Sequence, residues 1–159
     1  MRQPMFRDGA ARLLVFRVGA ERFGVELQAI DEVIDAPAVQ SIPDAPATVL
    51  GVATIRGELI TVYDLRTLLR VQGRLDEAGD GAGAALLFAR DDRRVGLAID
   101  DVYDAIRIED GDLLKAPGGG AAASDGILIG LVRRAGDLIG ILDANALLDA
   151  AIAGDGERK

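Results

Sequence analysis

Apolar and polar positions along this chain alternate in short runs, and the runs come in pairs separated by brief polar breaks. Val49 to Leu69, VLGVATIRGELITVYDLRTLL, reads as an apolar strand, a tight turn, a second apolar strand and an Asp that opens a short helix. The same pattern returns without a gap at Leu128 to Leu148, LIGLVRRAGDLIGILDANALL. Gly51 matches Gly130, Gly57 matches Gly136, Leu59 and Ile60 match Leu138 and Ile139, and Asp64 matches Asp143. The turn carries Gly because a tight hairpin needs a residue that tolerates positive φ. Each Asp is placed to accept from free amides of the helical turn after it, over 65–70 and 144–151.

A second segment also occurs twice. Leu14 to Ile34 matches Leu86 to Ile106 through Leu14/Leu86, Phe16/Phe88, Arg22/Arg94, Gly24/Gly96 and Ile34/Ile106. Leu13 to Val18 is a strand, Gly19-Ala20-Glu21 a turn and Arg22 to Leu27 the returning strand. Ala29 to Ile34 then sets Ile30, Val33 and Ile34 against Asp31, Glu32 and Asp35, a spacing that suits a helical turn or a bulged strand equally. This register is offset by 72 residues and the other by 79. The difference falls in Lys115 to Gly126, KAPGGGAAASDG, which reads as an inserted flexible loop.

Two similar lobes of about five short strands each are therefore expected, approximately 12–71 and 85–150, with the Gly- and acid-rich residues 72–84 as linker. Small closed or nearly closed barrels would hide the edges of such strands. Residues 1–11 read as a flexible arm, and 151–159 as a tail that follows a C-terminal helix stopped by Gly154.

Composition narrows the chemistry. Half of the 159 residues are apolar, which suffices for a compact core, but four Phe, two Tyr and no Trp leave no stacking platform for bases. The net charge of -8 repels phosphate backbones and anionic membranes, so nucleic acid is excluded as the expected partner. No apolar run approaches membrane-span length or a signal sequence, which predicts a cytoplasmic protein without direct membrane insertion. The absence of Cys and His removes thiolate and imidazole catalysis and the metal sites built on them.

The remaining candidates are few. Asp91-Asp92 and Asp100-Asp101, with Asp104 nearby, offer carboxylates for a hard cation, but Asp91-Asp92 falls at a hairpin turn and no Ca²⁺-loop spacing is present. Neither Gly-rich stretch has the residues of a phosphate loop, and neither of the two Ser has a Lys three positions on. Cofactors are therefore not expected. Arg56 stands just before the Gly57 turn, where a long cation can reach off the barrel toward a partner's carboxylate, or pair locally with Glu58 or Asp64. Its counterpart in the second copy is Ala135, so the turn itself needs no cation. Ile30 with Val102, and Val33 with Ala105, are equivalent apolar pairs that a two-lobed fold brings toward a shared cleft, with Glu32 beside them.

With these residues in view, the chain resembles the CheW family of chemotaxis coupling proteins over about residues 12–150. The family motif G-V-x-N-L-R-G-x-x-x-P-V-x-D-L reads here GVATIRGELITVYDL from Gly51, and V-G-L-x-V-D-x-V reads VGLAIDDV from Val95. Thr54 replaces the motif's Asn and Thr61 its Pro. The resemblance implies an all-β fold, a single domain of two intertwined five-stranded SH3-like barrels with short helices. It implies a non-catalytic adaptor linking chemoreceptor (methyl-accepting protein) cytoplasmic tips to the regulatory domain of a CheA-type histidine kinase, recruited to membrane-associated arrays. Ile30, Glu32, Val33, Arg56, Gly57, Val102 and Ala105 are the receptor- or kinase-binding residues on this reading. A divergent paralogue in a non-flagellar pathway is the near alternative. A small β-barrel ligand-binding protein or carboxylate enzyme is the distant one, and predicts a pocket gathering two or more acids with shifted pKa values.

Overall fold

The computed structural model describes residues 6–71, 82–115 and 126–156. In the first half lie β1 (Ala10–Val18), β2 (Glu21–Glu26), β3 (Glu32–Asp35), β4 (Val49–Ile55), β5 (Glu58–Asp64) and helix α1 (Leu65–Leu68). In the second lie β6 (Ala84–Arg90), β7 (Arg93–Ile99), β8 (Asp101–Glu109), β9 (Leu128–Arg134), β10 (Asp137–Leu142) and helix α2 (Ala144–Gly156).

The strands form two five-stranded sheets, β8-β1-β2-β10-β9 and β3-β6-β7-β5-β4. Neither sheet comes from one half of the chain. The β1–β2 hairpin joins three strands of the second half, and the β6–β7 hairpin joins three of the first. Each hairpin joins on one side by parallel pairing, β2 to β10 through Phe23 and Gly140 and β7 to β5 through Val95 and Thr61, and on the other by antiparallel pairing, β1 to β8 and β6 to β3. Substituting each strand by its sequence repeat turns one strand order into the other, so the internal duplication is an approximate two-fold relation between exchanged halves. The lobes expected at 12–71 and 85–150 are therefore not the units of the fold.

Each sheet covers its own apolar cluster and shares a third. Leu13, Val15, Ile139 and Ile141 face the cluster of the first sheet, and Ile60, Val62, Leu87 and Ala98 that of the second. The opposite faces meet in a central core of Leu14, Phe16, Val25, Tyr63, Leu86, Phe88, Leu97 and the α2 residues Leu147, Leu148 and Ala151. Burial on both faces accounts for strands such as Ala84–Arg90 that are apolar without alternation.

The repeated features have local causes. Both hairpin tips put two successive residues at positive φ, Arg56 (49°) with Gly57 (83°) and Ala135 (53°) with Gly136 (85°), the two-residue turn that suits strand twist. Asp64 accepts from the Arg66 N–H at 3.0 Å, and Asp143 from the Asn145 and Ala146 N–H groups, as expected of helix caps. Gly51 and Gly130 lie where a crossing segment meets an outer strand. Gln40 exchanges backbone hydrogen bonds with Val52, and Leu114 with Leu131, so both β4 and β9 have a partly paired outer edge.

Four boundaries differ from expectation. Order does not begin at residue 12, because Phe6 is buried in the first sheet's cluster and β1 starts at Ala10. Ala82 is buried and Ala84 opens β6, while linker residues 72–81 and loop residues 116–125 lie outside the described residues. Residues 32–35 form a strand, one of the two conformations left open, after a single 3-10 turn at Leu27–Ala29, but Val33 and Ile34 point apart instead of sharing a side. Helix α2 continues through Gly154 to Gly156, since one Gly weakens a helix without stopping it.

Candidate functional site

At one end of the second sheet, three elements bring five charged side chains together. The β4–β5 tip supplies Arg56 and Glu58, the start of β7 supplies Arg94, and the entry to β3 supplies Asp31 and Glu32. Arg56 Nη2 donates to Glu32 Oε1, and Arg94 Nη2 donates to the same oxygen at 2.7 Å. Arg94 also lies 3.0 Å from Asp31 and 3.4 Å from Glu58. Neither Glu58 nor Asp64, the local partners considered for Arg56, takes that role; Glu32 does.

Asp31 and Glu32 can both face Arg94 because the strand start is irregular: Glu32 is paired with Leu87, and the Asp31 N–H also bonds to the Leu87 carbonyl. The Arg56 hydrogen bond, followed by that of Arg94, holds the Glu32 carboxyl below its ordinary range. The same bond to Glu32 raises the Arg56 and Arg94 guanidinium values. Glu32, Arg56 and Arg94 are thus held in their charged forms. It remains accessible, since the Arg56 side chain is 61% exposed and that of Glu32 30%.

The anticipated binding residues divide between two places. Glu32, Val33, Arg56 and Gly57 share this end of the second sheet, with Val33 41% exposed on the outer strand β3 opposite Leu86. Space around the Gly57 Cα is open, so its glycine serves the turn and not a close contact. Val102 and Ala105 sit on β8, the outer strand of the other sheet, and Ala105 is exposed opposite Leu14. Ile30 and Val102 pack on the same central core, so of the four apolar residues only these two converge on one cluster. Arg94, which organises the charges, was missed as a site residue. Its signal was present, because a cation recurs at Arg22 and Arg94 in an otherwise apolar repeat.

Elsewhere among the described residues, the acids with shifted values, Glu26 and Asp100, do not pair with each other. Burial raises the Glu26 carboxyl, Arg7 opposes that shift and Asp143 adds to it. The cavity of about 340 Å³ beside Glu26 is lined by Arg7, Arg12 and Arg107 as well as Asp8. Burial also pushes Asp100 up, but hydrogen bonds from Arg66 and the Gly19 N–H outweigh it and leave the carboxyl low.

The family model for the CheW-like domain matches residues 12–151. The chain belongs to the CheW family. Chemotaxis protein CheW of Treponema pallidum is 26% identical over 94% of this chain and 89% of its own length. Protein FrzA of Myxococcus xanthus is 34% identical over 86% and 84%. A crystal structure of the scaffolding protein TtCheW from Thermoanaerobacter tengcongensis overlays with a TM-score of 0.67 at 20% identity, covering 83% of this chain and 88% of that one. That likeness establishes the fold, two five-stranded sheets in the CheW arrangement. Within it, the family motif spans β4, the Arg56–Gly57 tip and β5. Thr61, in place of the motif's Pro, sits mid-sheet between Val52 and Val95, where its N–H is available to the ladder. No helix among the described residues is long and apolar enough to cross a membrane.

Proposed function

We propose that this CheW-family chain is a non-catalytic adaptor that joins chemoreceptor cytoplasmic tips to the regulatory domain of a CheA-type histidine kinase, inside the cell at receptor arrays. One observation carries the reading: the motif residue Arg56 and the groove residue Glu32, distant in sequence, meet in an accessible ion pair at one end of the second sheet. An array partner meets there charges already fixed in place. Little side-chain freedom is then left to lose on binding.

Titration calorimetry of the whole chain against the kinase regulatory domain, and separately against a receptor-tip hairpin, tests this. Saturable binding to both in the micromolar range supports the adaptor role. Binding to neither by a folded sample removes it.

A further inference from the structure

The two-fold relation places a second, incomplete copy of the charge cluster on the first sheet. Arg22 takes the place of Arg94, Asp137 that of Glu58, Tyr103 that of Asp31, Asp104 that of Glu32 and Ala135 that of Arg56. Arg22 lies 3.3 Å from Asp137, as Arg94 lies 3.4 Å from Glu58. Where Arg94 meets the Asp31 carboxylate, Arg22 stacks 4.6 Å over the Tyr103 ring, a cation–π contact in place of an ion pair. Even the strand irregularity returns, since Leu14 pairs with Ala105 and Phe16 with Val102, leaving Val15 opposite both Tyr103 and Asp104.

One member is absent. The Ala135 backbone has nearly the φ of Arg56, 53° against 49°, but carries no guanidinium. Asp104 is exposed and has no ion pair among the described residues, whereas Glu32 has two.

We propose that this surface docks an arginine side chain from a protein partner, which bonds to Asp104 and completes between two molecules the arrangement that Arg56 completes within one. Charge favours a cationic occupant: Asp104 has no ion pair among the described residues, and the chain's net charge is -8. A planar fork suits Asp104, because the equivalent carboxylate is held by two guanidinium groups on the other sheet. The inference rests on the internal symmetry and not on the adaptor reading.

The probe is a blocked Ile-Arg-Gly tripeptide, the sequence of the β4–β5 tip, titrated into the ¹⁵N-labelled full chain and compared with the same peptide carrying neutral citrulline. The expected result is saturable amide shifts at Tyr103, Asp104 and Ala135 with an affinity on the order of millimolar, and none from the citrulline peptide. Asp104→Asn and Ala135→Arg should each weaken the response at least about tenfold, the first by removing the acceptor and the second by satisfying it in cis. Spectra of both variants before titration report whether they fold. Shifts that are absent in the folded wild type, that persist in Asp104→Asn, or that citrulline reproduces overturn the proposal.

Discussion

Arg56 and Glu32, separated by 24 residues in sequence, are joined by a hydrogen-bonded ion pair that ties the tip of the β4–β5 hairpin to the entry of β3. Both are accessible, and exposed ion pairs add little to stability. A role in recognition fits the pair better, because it fixes two charges on an accessible end of the second sheet.

Arg56→Ala should therefore leave the fold nearly unchanged, with a melting temperature within about 3 °C of wild type. Glu32 keeps Arg94, so its carboxylate is not stranded. Binding to the array partner should fall at least about tenfold, the scale of one lost charge-assisted hydrogen bond. Thermal melts and calorimetry on the same sample check both halves. Normal binding with a large drop in melting temperature would assign Arg56 to local support.

Val33→Asp should weaken receptor-tip binding and preserve the fold. The side chain is 41% exposed on an outer strand, so a charge there remains hydrated while it enters an apolar contact with the partner. Circular dichroism before the binding measurement separates the outcomes. An unfolded variant would place Val33 in the core.

Asp100→Asn should cost about 2 kcal/mol, because Asp100 and Arg66 are only 11% and 15% exposed and the variant weakens the charge-assisted hydrogen bonds between them. Asp100 also accepts from the Gly19 N–H at 2.7 Å, so it links the β1–β2 turn to helix α1. Its folded pKa lies below the ordinary aspartate value, so the wild type's advantage is present above that value. The advantage should disappear as pH falls through the depressed folded value. Melts of both proteins from pH 7 down to about 2 test this, and a difference that persists at the acid end contradicts it.

Gly51→Ala should destabilise strongly. An added Cβ would lie 2.1 Å from the Gln40 carbonyl oxygen, backbone that cannot move without breaking its bridge to Val52. Gly57→Ala meets no neighbour and is limited by its positive φ alone. Denaturant midpoints should thus rank wild type above Gly57→Ala and Gly57→Ala above Gly51→Ala. The reverse order of the two variants would show that turn geometry outweighs the crossing.

Much of this was legible in the chain. The hairpins around Gly19, Arg56-Gly57, Asp91-Asp92 and Ala135-Gly136, the Asp64 and Asp143 caps and the double repeat all follow from local periodicity and turn chemistry. The exchange of hairpins between halves does not, because parallel pairing of β2 with β10 leaves no mark within either strand. For the same reason the spacing around Arg56 suggested Glu58 and Asp64, while its actual partner arrives from a distant strand. Phe6 looked like part of an arm because a single buried aromatic ahead of a strand has no period to announce it.

The most direct test of the central claim is reconstitution of the kinase on receptor-bearing membranes, with the wild-type chain and Arg56→Ala assayed side by side for receptor-dependent autophosphorylation. The account predicts that the wild type raises kinase activity well above receptors and kinase alone, and that the folded variant recovers less than about a tenth of the increase. Equal activation by both proteins, or none by the folded wild type, would contradict it.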